Sequence, residues 1–286
     1  MNKKRVSLVL GSGGARGYAH IGVIEELEKN GYEIVSVSGS SMGALIGGLY
    51  ACGRLQDYKK WVLEFDIFDI LKLVDFSFGE GGMIKADRVF KKIDAFIKDT
   101  KIEELPISFA AVASDISKKE EVHLNKGSLK DAIRASIAIP TIFTPQEIEG
   151  RTLFDGGLCN PLPLSIVDKQ KADLIIAVNL NKSEEVKKEH TDILEKKDNS
   201  LNLKILDFIN NKSKKEKISY FEIVTNSIET MQEIITKQQI KECNPDIILN
   251  ISNKICQFYE FHKAKETIEY GAAVTREFLE NKIKEN

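Results

Sequence analysis

Gly39-Ser40-Ser41-Met42-Gly43 stands between the apolar run Ile34, Val35, Val37 and the small-residue stretch Ala44 to Tyr50. A β-branched segment, a G-x-S-x-G turn and a helix-forming segment read as strand, sharp turn and helix. Glycine at both flanks lets the backbone bend tightly, so the serine between them is expected to expose its hydroxyl. Ser41 is therefore the candidate nucleophile, framed by Gly39 and Gly43.

One strand and one helix earlier lies a second glycine cluster, Gly11-Ser12-Gly13-Gly14-Ala15-Arg16-Gly17, directly after Val6, Leu8, Val9 and Leu10. It opens a helix expected over Tyr18 to Lys29. A G-x-G-x-x-G loop can cradle a dinucleotide pyrophosphate at a helix N-terminus. That use expects an acidic residue at the tip of the next strand, where this chain has Val37-Ser38-Gly39. A nucleotide site is disfavoured. The same kind of loop can turn its backbone N–H groups on the oxyanion of an acyl-transfer intermediate, which suits a nucleophilic serine on the neighbouring strand.

The third element is Phe154-Asp155-Gly156-Gly157, followed by Asn160-Pro161-Leu162-Pro163. Alone, Asp-Gly-Gly is a turn. Beside a serine that needs a general base, Asp155 becomes the candidate proton acceptor.

These three motifs, in this order, resemble those of the bacterial patatin-like phospholipase family, the Ser-Asp dyad lipid acyl hydrolases. Further matching stretches are Ala19 to Val23, Ala113-Ser114-Asp115, and Ala132 to Pro140 with Phe143 and Pro145 after it. The resemblance runs from about residue 5 to about residue 181. It implies an α/β class protein with a three-layer α/β/α fold, Ser41 as nucleophile, Asp155 as base and the Gly13, Gly14 and Ala15 region as oxyanion hole. Gly11, Arg16, Gly17, Gly39, Gly43, Gly156 and Gly157 are then structural parts of the motifs. Two departures keep a small residue: Ser12 where many members have a third consecutive glycine, and Gly157 where many have alanine.

An ordinary α/β-hydrolase also uses G-x-S-x-G, but it places several strands before the elbow and needs a late histidine. Ser41 arrives after only two strand candidates. His190 lies in a charge run, His262 among Lys263, Lys265 and Glu266, and His20 one turn into a helix, where packing is its expected role. No histidine has a catalytic setting. The Ser-Asp scheme needs no metal or other cofactor, and the sequence offers no His/Cys/Asp cluster with ligand spacing. The alternative within the family is a catalytically idle regulatory module, against which intact Ser41, Asp155 and both glycine loops argue.

The 286 residues are 42% hydrophobic and 29% charged, enough for one large domain or a domain with an appendage. A net charge of −2 gives no global field favouring nucleic acid or an anionic membrane. Cys52, Cys159, Cys243 and Cys256 lack paired spacing and suit a reducing cytosol. The apolar stretch after Met1 to Arg5 ends at Leu10, too short for a signal peptide, and no run has the length of a transmembrane helix. The expectation is a cytoplasmic enzyme acting on a lipid or ester substrate, with transient contact at a membrane surface and oligomeric state left open.

Strands alternate with helices to about residue 180, as a mostly parallel central sheet requires. Residues 6–10, 34–38, 107–114 and 173–180 are the clearest strands, and 5–181 is the expected hydrolase core. Residues 182–217 are dense in both charge signs and read as an exposed, partly disordered or loosely helical linker or insertion. Residues 218–286 are expected to complete the same domain with a helix at 221–241, a strand at 246–250 returning to the sheet, and a helix at 259–284. Trp61 to Phe78 carries large apolar groups at helical spacing. It reads as a core helix, or as a lid beside Gly79-Glu80-Gly81-Gly82. Arg16 can meet a phosphate or anchor carbonyls. Asp115 is given no catalytic role.

Overall fold

A computed structural model describes residues 3–64, 87–140, 142–169, 172–194 and 220–284. Most of the apolar stretch Trp61 to Phe78, from Phe65 onward, lies outside the described residues together with the glycines after it, and so does the lid reading. Residues 195–217 of the expected linker lie outside them as well. In the described start of the apolar stretch Val62 is buried and Trp61 lies against Tyr58 and Phe96 with ring centroids 5.7 and 5.9 Å away, whereas Leu63 is exposed.

Strand β1 (Lys4–Leu10) leads through the glycine loop into helix α1 (Ala19–Lys29), and β2 (Tyr32–Ser40) leads through Ser41 into α2 (Met42–Ala51). Helices α3 (Leu55–Leu63) and α4 (Asp87–Ile97) precede β3 (Ser108–Asp115), β4 (Glu120–Leu124) and α5 (Leu129–Ser136). Then come β5 (Gln146–Ile148), β6 (Arg151–Asp155), β7 (Leu174–Lys182), α6 (Lys188–Leu194), α7 (Tyr220–Cys243), β8 (Ile247–Ser252) and α8 (Ala264–Lys284).

The strands form one sheet in the order β5-β6-β3-β2-β1-β7-β8, with β4 also paired to β3. β8, β7, β1, β2 and β3 run parallel, whereas β4, β5 and β6 join antiparallel. Alternation along β1 divides the interior. Val6, Leu8 and Leu10 enter the main core with Ile21 and Ile24 of α1 and Ile46 and Leu49 of α2. Val9 enters a smaller cluster on the opposite side with Leu162, Leu164, Val167 and Ala177, against which Ile240 and Cys243 of α7 pack. The sheet is thus flanked by helices, a three-layer α/β/α arrangement.

The three antiparallel strands escape sequence reading because they are short and carry few apolar positions. β4 buries only Leu124, and β5 buries no residue fully. Their pairing comes from neighbouring strands instead of a pattern of their own. The strand expected at 246–250 does return to the sheet, as β8 beside β7. The start of the expected linker is helical, as that reading allowed, but less exposed than expected. Residues 188–194 form α6, His190 is buried, and Ile193 and Leu194 pack against the main core. Charge density concealed these few inward residues.

Helices α1 and α8 meet through glycine. A Cβ on Gly22 would lie 2.0 Å from the Ile268 carbonyl oxygen, and one on Gly271 would lie 2.2 Å from that of Ala19. Neither backbone can yield without separating the helices. Gly22→Val or Gly271→Val is therefore expected to destabilise the protein by about 1–3 kcal/mol or more, the usual range for overpacking, measured by urea unfolding.

Candidate active site

The first constraint is in the sheet. Val112 of β3 pairs with Ser40 on one edge and with His123 of β4 on the other. Ala113, the next residue, pairs with Val122 of β4 and with Asp155 of β6. Because β4 occupies one edge from Ala111 to Asp115, β2 and β6 share the opposite edge and meet end to end. Ser41, just beyond β2, and Asp155, the last residue of β6, are brought together although far apart in the chain.

Ser41 Oγ donates a hydrogen bond to Asp155 Oδ2 at 2.6 Å. Ser41 has φ 55° and ψ −124°, a conformation that a non-glycine residue rarely holds. Gly39 and Gly43 are not at positive φ. The bend therefore sits on the serine itself, and the flanking glycines supply space: a Cβ on Gly39 would lie 2.4 Å from the Gly43 carbonyl oxygen, and one on Gly43 would lie 2.0 Å from that of Leu10. Ser136 Oγ of α5 accepts the Ser41 N–H at 3.0 Å and helps to hold the turn. Sequence reading assigned Ser136 no role; the signal was its place in the Ala132 to Pro140 run.

Asp155 Oδ1 accepts the Gly157 N–H at 2.7 Å. Its carboxyl is buried, and burial pushes its pKa up to about 7, with the Ser41 hydroxyl and the Gly157 amide opposing the rise. The hydroxyl expected to be exposed is instead enclosed: Ser41 and Asp155 are each 4% accessible.

The glycine loop crosses the same end of the sheet. Gly11 N–H donates to the Val178 carbonyl and Ser12 N–H to that of Pro161. His20 Nε2–H donates to the Gly11 carbonyl at 2.8 Å, and burial holds this imidazole's pKa down to about 4, so it is neutral. His20 is a positioning residue as well as a packed one. Ala15 N–H is committed to the Phe258 carbonyl at 2.8 Å, which corrects its place in the expected oxyanion hole and leaves the Gly13 and Gly14 amides as candidate donors. Arg16 is buried. It donates to the Gly13 and Asn253 carbonyls and pairs with Glu229 of α7, so it anchors backbone and leaves no guanidinium open for a phosphate.

Asp115 accepts from the Lys118 amide and from Arg151 Nε, and these contacts lower its pKa. It closes a turn. Gly17 and Gly156 serve close packing, a Cβ on the first meeting Met42 and on the second the Val112 carbonyl.

The pocket over Ser41 is bounded by Ser12, Gly13 and Gly14, by Ile139, Pro140, Leu158 and Phe258, and by Thr225, Ile228, Glu229 and Gln232 of α7. Its free space is small, about 30 Å³. The α7 side of this wall was not legible in the sequence, which marks a helix at 221–241 but not the face that it turns inward.

Residues 8–168 match the family described as patatin-like phospholipase. Uncharacterized NTE family proteins of Mycobacterium bovis and Mycobacterium tuberculosis are 47% identical over 180 residues, covering 63% of this chain and 50% of theirs. A patatin-like phospholipase domain-containing protein of Caenorhabditis elegans is 33% identical over 192 residues, covering 63% of this chain and 14% of that one. The chain thus spans about half the length of the first curated relatives it matches. In fold it is similar to VipD from Legionella pneumophila, with a TM-score of 0.54 at 15% identity over 97% of this chain and 67% of that one. With the family match covering more than half of its residues, the chain belongs to the patatin-like phospholipase family.

Proposed function

We infer that the protein is a serine acyl hydrolase that cleaves carboxylic esters of lipids. The observation that carries this reading is the 2.6 Å hydrogen bond from Ser41 Oγ to the buried Asp155 carboxylate. As Oγ attacks the ester carbonyl carbon, its proton passes to Asp155 Oδ2 and the carbonyl electrons move onto oxygen. The Gly13 and Gly14 amides are the proposed donors to that oxyanion. Collapse breaks the bond to the leaving alcohol, which takes the proton from Asp155. Water then attacks the acyl-enzyme, giving its proton to Asp155, and collapse breaks the bond to Ser41 Oγ, which takes that proton back as the carboxylic acid is freed. Both halves of the cycle use one base.

Burial of Asp155 serves this chemistry because a base with a pKa near 7 accepts a proton more readily than an ordinary carboxylate. Apolar Ile139, Pro140, Leu158, Ile228 and Phe258 around the pocket suit an acyl chain better than a polar substrate. Residues 5–181 would supply the hydrolase core and 218–286 its completing elements. A role in lipid degradation, in the cytoplasm or at a membrane surface, is part of the same proposal.

Hydrolysis of p-nitrophenyl esters of graded chain length tests the reading. Ser41→Ala and Asp155→Asn are each expected to lower kcat/KM by on the order of a thousandfold or more with folding intact; full activity in Ser41→Ala would overturn the mechanism.

The wild-type kcat/KM should rise with pH through about 7 as Asp155 ionises. A profile that stays flat between acid and alkaline pH would show that Asp155 is not the base.

The same carboxyl affects stability. Its folded-state pKa lies above its unfolded value, so the native state holds the extra proton and loses stability as pH rises from about 4 to about 7. Asp155→Asn removes that titration. Between acid and neutral pH the variant is expected to gain stability relative to the wild type, by up to roughly 4 kcal/mol from linkage, as read by calorimetry on both sides of the transition.

A further inference from the structure

Beside the pocket, helix α7 turns mostly polar residues inward, while three large apolar residues stand on its solvent side. Thr225, Glu229, Gln232 and Thr236 lie on its inward side, with Gln232 and Thr236 buried. Ile223, Met231 and Ile234 are 51%, 53% and 62% exposed. At 3.6 residues per turn these three fall within roughly 80° of the helix circumference. An ordinary surface helix has the opposite arrangement.

We propose that this outward face of α7 docks on an anionic lipid surface, and that docking draws the N-terminal half of the helix away from Ser41. Three observations favour a lipid surface over a protein partner. From Ile223 to Ile234 the exposed residues are Ile223, Asn226, Ser227, Thr230, Met231 and Ile234, none charged, in a chain that is 29% charged. The two hydroxyls in that set are already satisfied, Ser227 Oγ donating to the Ile223 carbonyl and Thr230 Oγ1 to that of Asn226, each at 2.7 Å. Their removal from water is correspondingly less costly. Exposed Lys237 and Lys241 continue the face toward the C-terminus, Lys237 also pairing with Glu233. An apolar stripe followed by lysines complements acyl chains and anionic head groups.

The contacts beneath the helix suit release at one end. Its C-terminal half is held by Ile240 and Cys243 in the apolar cluster and by Gln239, which bonds Asn160 and the Leu162 amide. Over the pocket the ties are polar: Glu229 pairs with Arg16, and Gln232 fills the notch that Gly157 leaves, where a Cβ would lie 2.5 Å from its Nε2. With α7 seated, the free space above Ser41 is small, about 30 Å³, and Thr225, Ile228, Glu229 and Gln232 wall it on one side. Lipid at the outer face offsets the loss of these polar contacts.

The opening step rests on the proposed hydrolase reading; docking itself does not, so binding is measured in a Ser41→Ala background. Flotation with phosphatidylcholine vesicles containing phosphatidylglycerol should recover this protein. Adding Ile223→Ser, Met231→Ser and Ile234→Ser should lower recovery about tenfold with an unchanged circular-dichroism melt. With Ser41 intact, the triple variant should hydrolyse a soluble acetyl ester at the wild-type rate but lose stimulation by vesicles. Glu229→Gln should raise soluble-ester hydrolysis without vesicles. Equal flotation of the two folded proteins would overturn the docking surface, as would light scattering that shows a wild-type dimer and a triple-variant monomer. Normal flotation with neither vesicle stimulation nor a Glu229→Gln effect, in an enzyme active on the soluble ester, would overturn the opening step. Flotation without hydrolysis in any sample would leave docking standing and count against the hydrolase reading.

Discussion

The arrangement of this site depends on one edge of β3 being used by two strands of opposite direction. β2 occupies that edge up to Val112, and β6 takes it over at Ala113. The chain must turn away at both ends, so the turn residue after β2 and the last residue of β6 are forced into contact. Asp155 N–H is held by the Ala138 carbonyl and its carbonyl by Ser114 Oγ, which fixes the end of β6 independently of Ser41. The short hydrogen bond between Ser41 and Asp155 is then a consequence of sheet topology more than of local sequence.

That placement carries two local costs. Ser41 holds a backbone conformation that non-glycine residues rarely adopt, and the buried Asp155 carboxyl is hydrogen-bonded to a hydroxyl and an amide instead of a cation. Elsewhere in the protein, buried carboxylates have conventional support: Asp115 meets Arg151, and Glu26 meets Arg276. The contrast is chemical. A cation beside Asp155 would stabilise the carboxylate and lower its affinity for a proton, whereas burial raises it. Strain and burial concentrated at one pair of residues are tolerated because the surrounding sheet and α5 hold both ends.

Arg16 connects the loop to the covering helix. Its guanidinium is spent on the Gly13 and Asn253 carbonyls and on Glu229, so the strand end, the loop after β8 and α7 share one buried cation. The polar inward face of α7 is explained by this position: a helix lying over Ser41, Asp155 and loop amides has polar groups beneath it. No contact among the described residues explains its apolar outward face, which on the docking proposal meets a surface outside the protein.

The sequence alone determined the parallel strand and helix alternation, because buried parallel strands are continuous apolar runs and glycine-bounded turns are explicit in the chain. It also singled out Ser41, Asp155 and the glycine loop by residue type and order. Tertiary structure decided what those residues touch. That Ala15 N–H is taken by Phe258, that Ser136 holds Ser41, and that β4, β5 and β6 pair at all depends on partners distant in the chain. Helix α7 is the sharpest case: its periodicity marks a helix, but which face lies inward is set by Arg16, Gly157 and the strand ends beneath it. Local pattern reports the conformation of a segment, whereas contact between segments is set by packing of the whole chain.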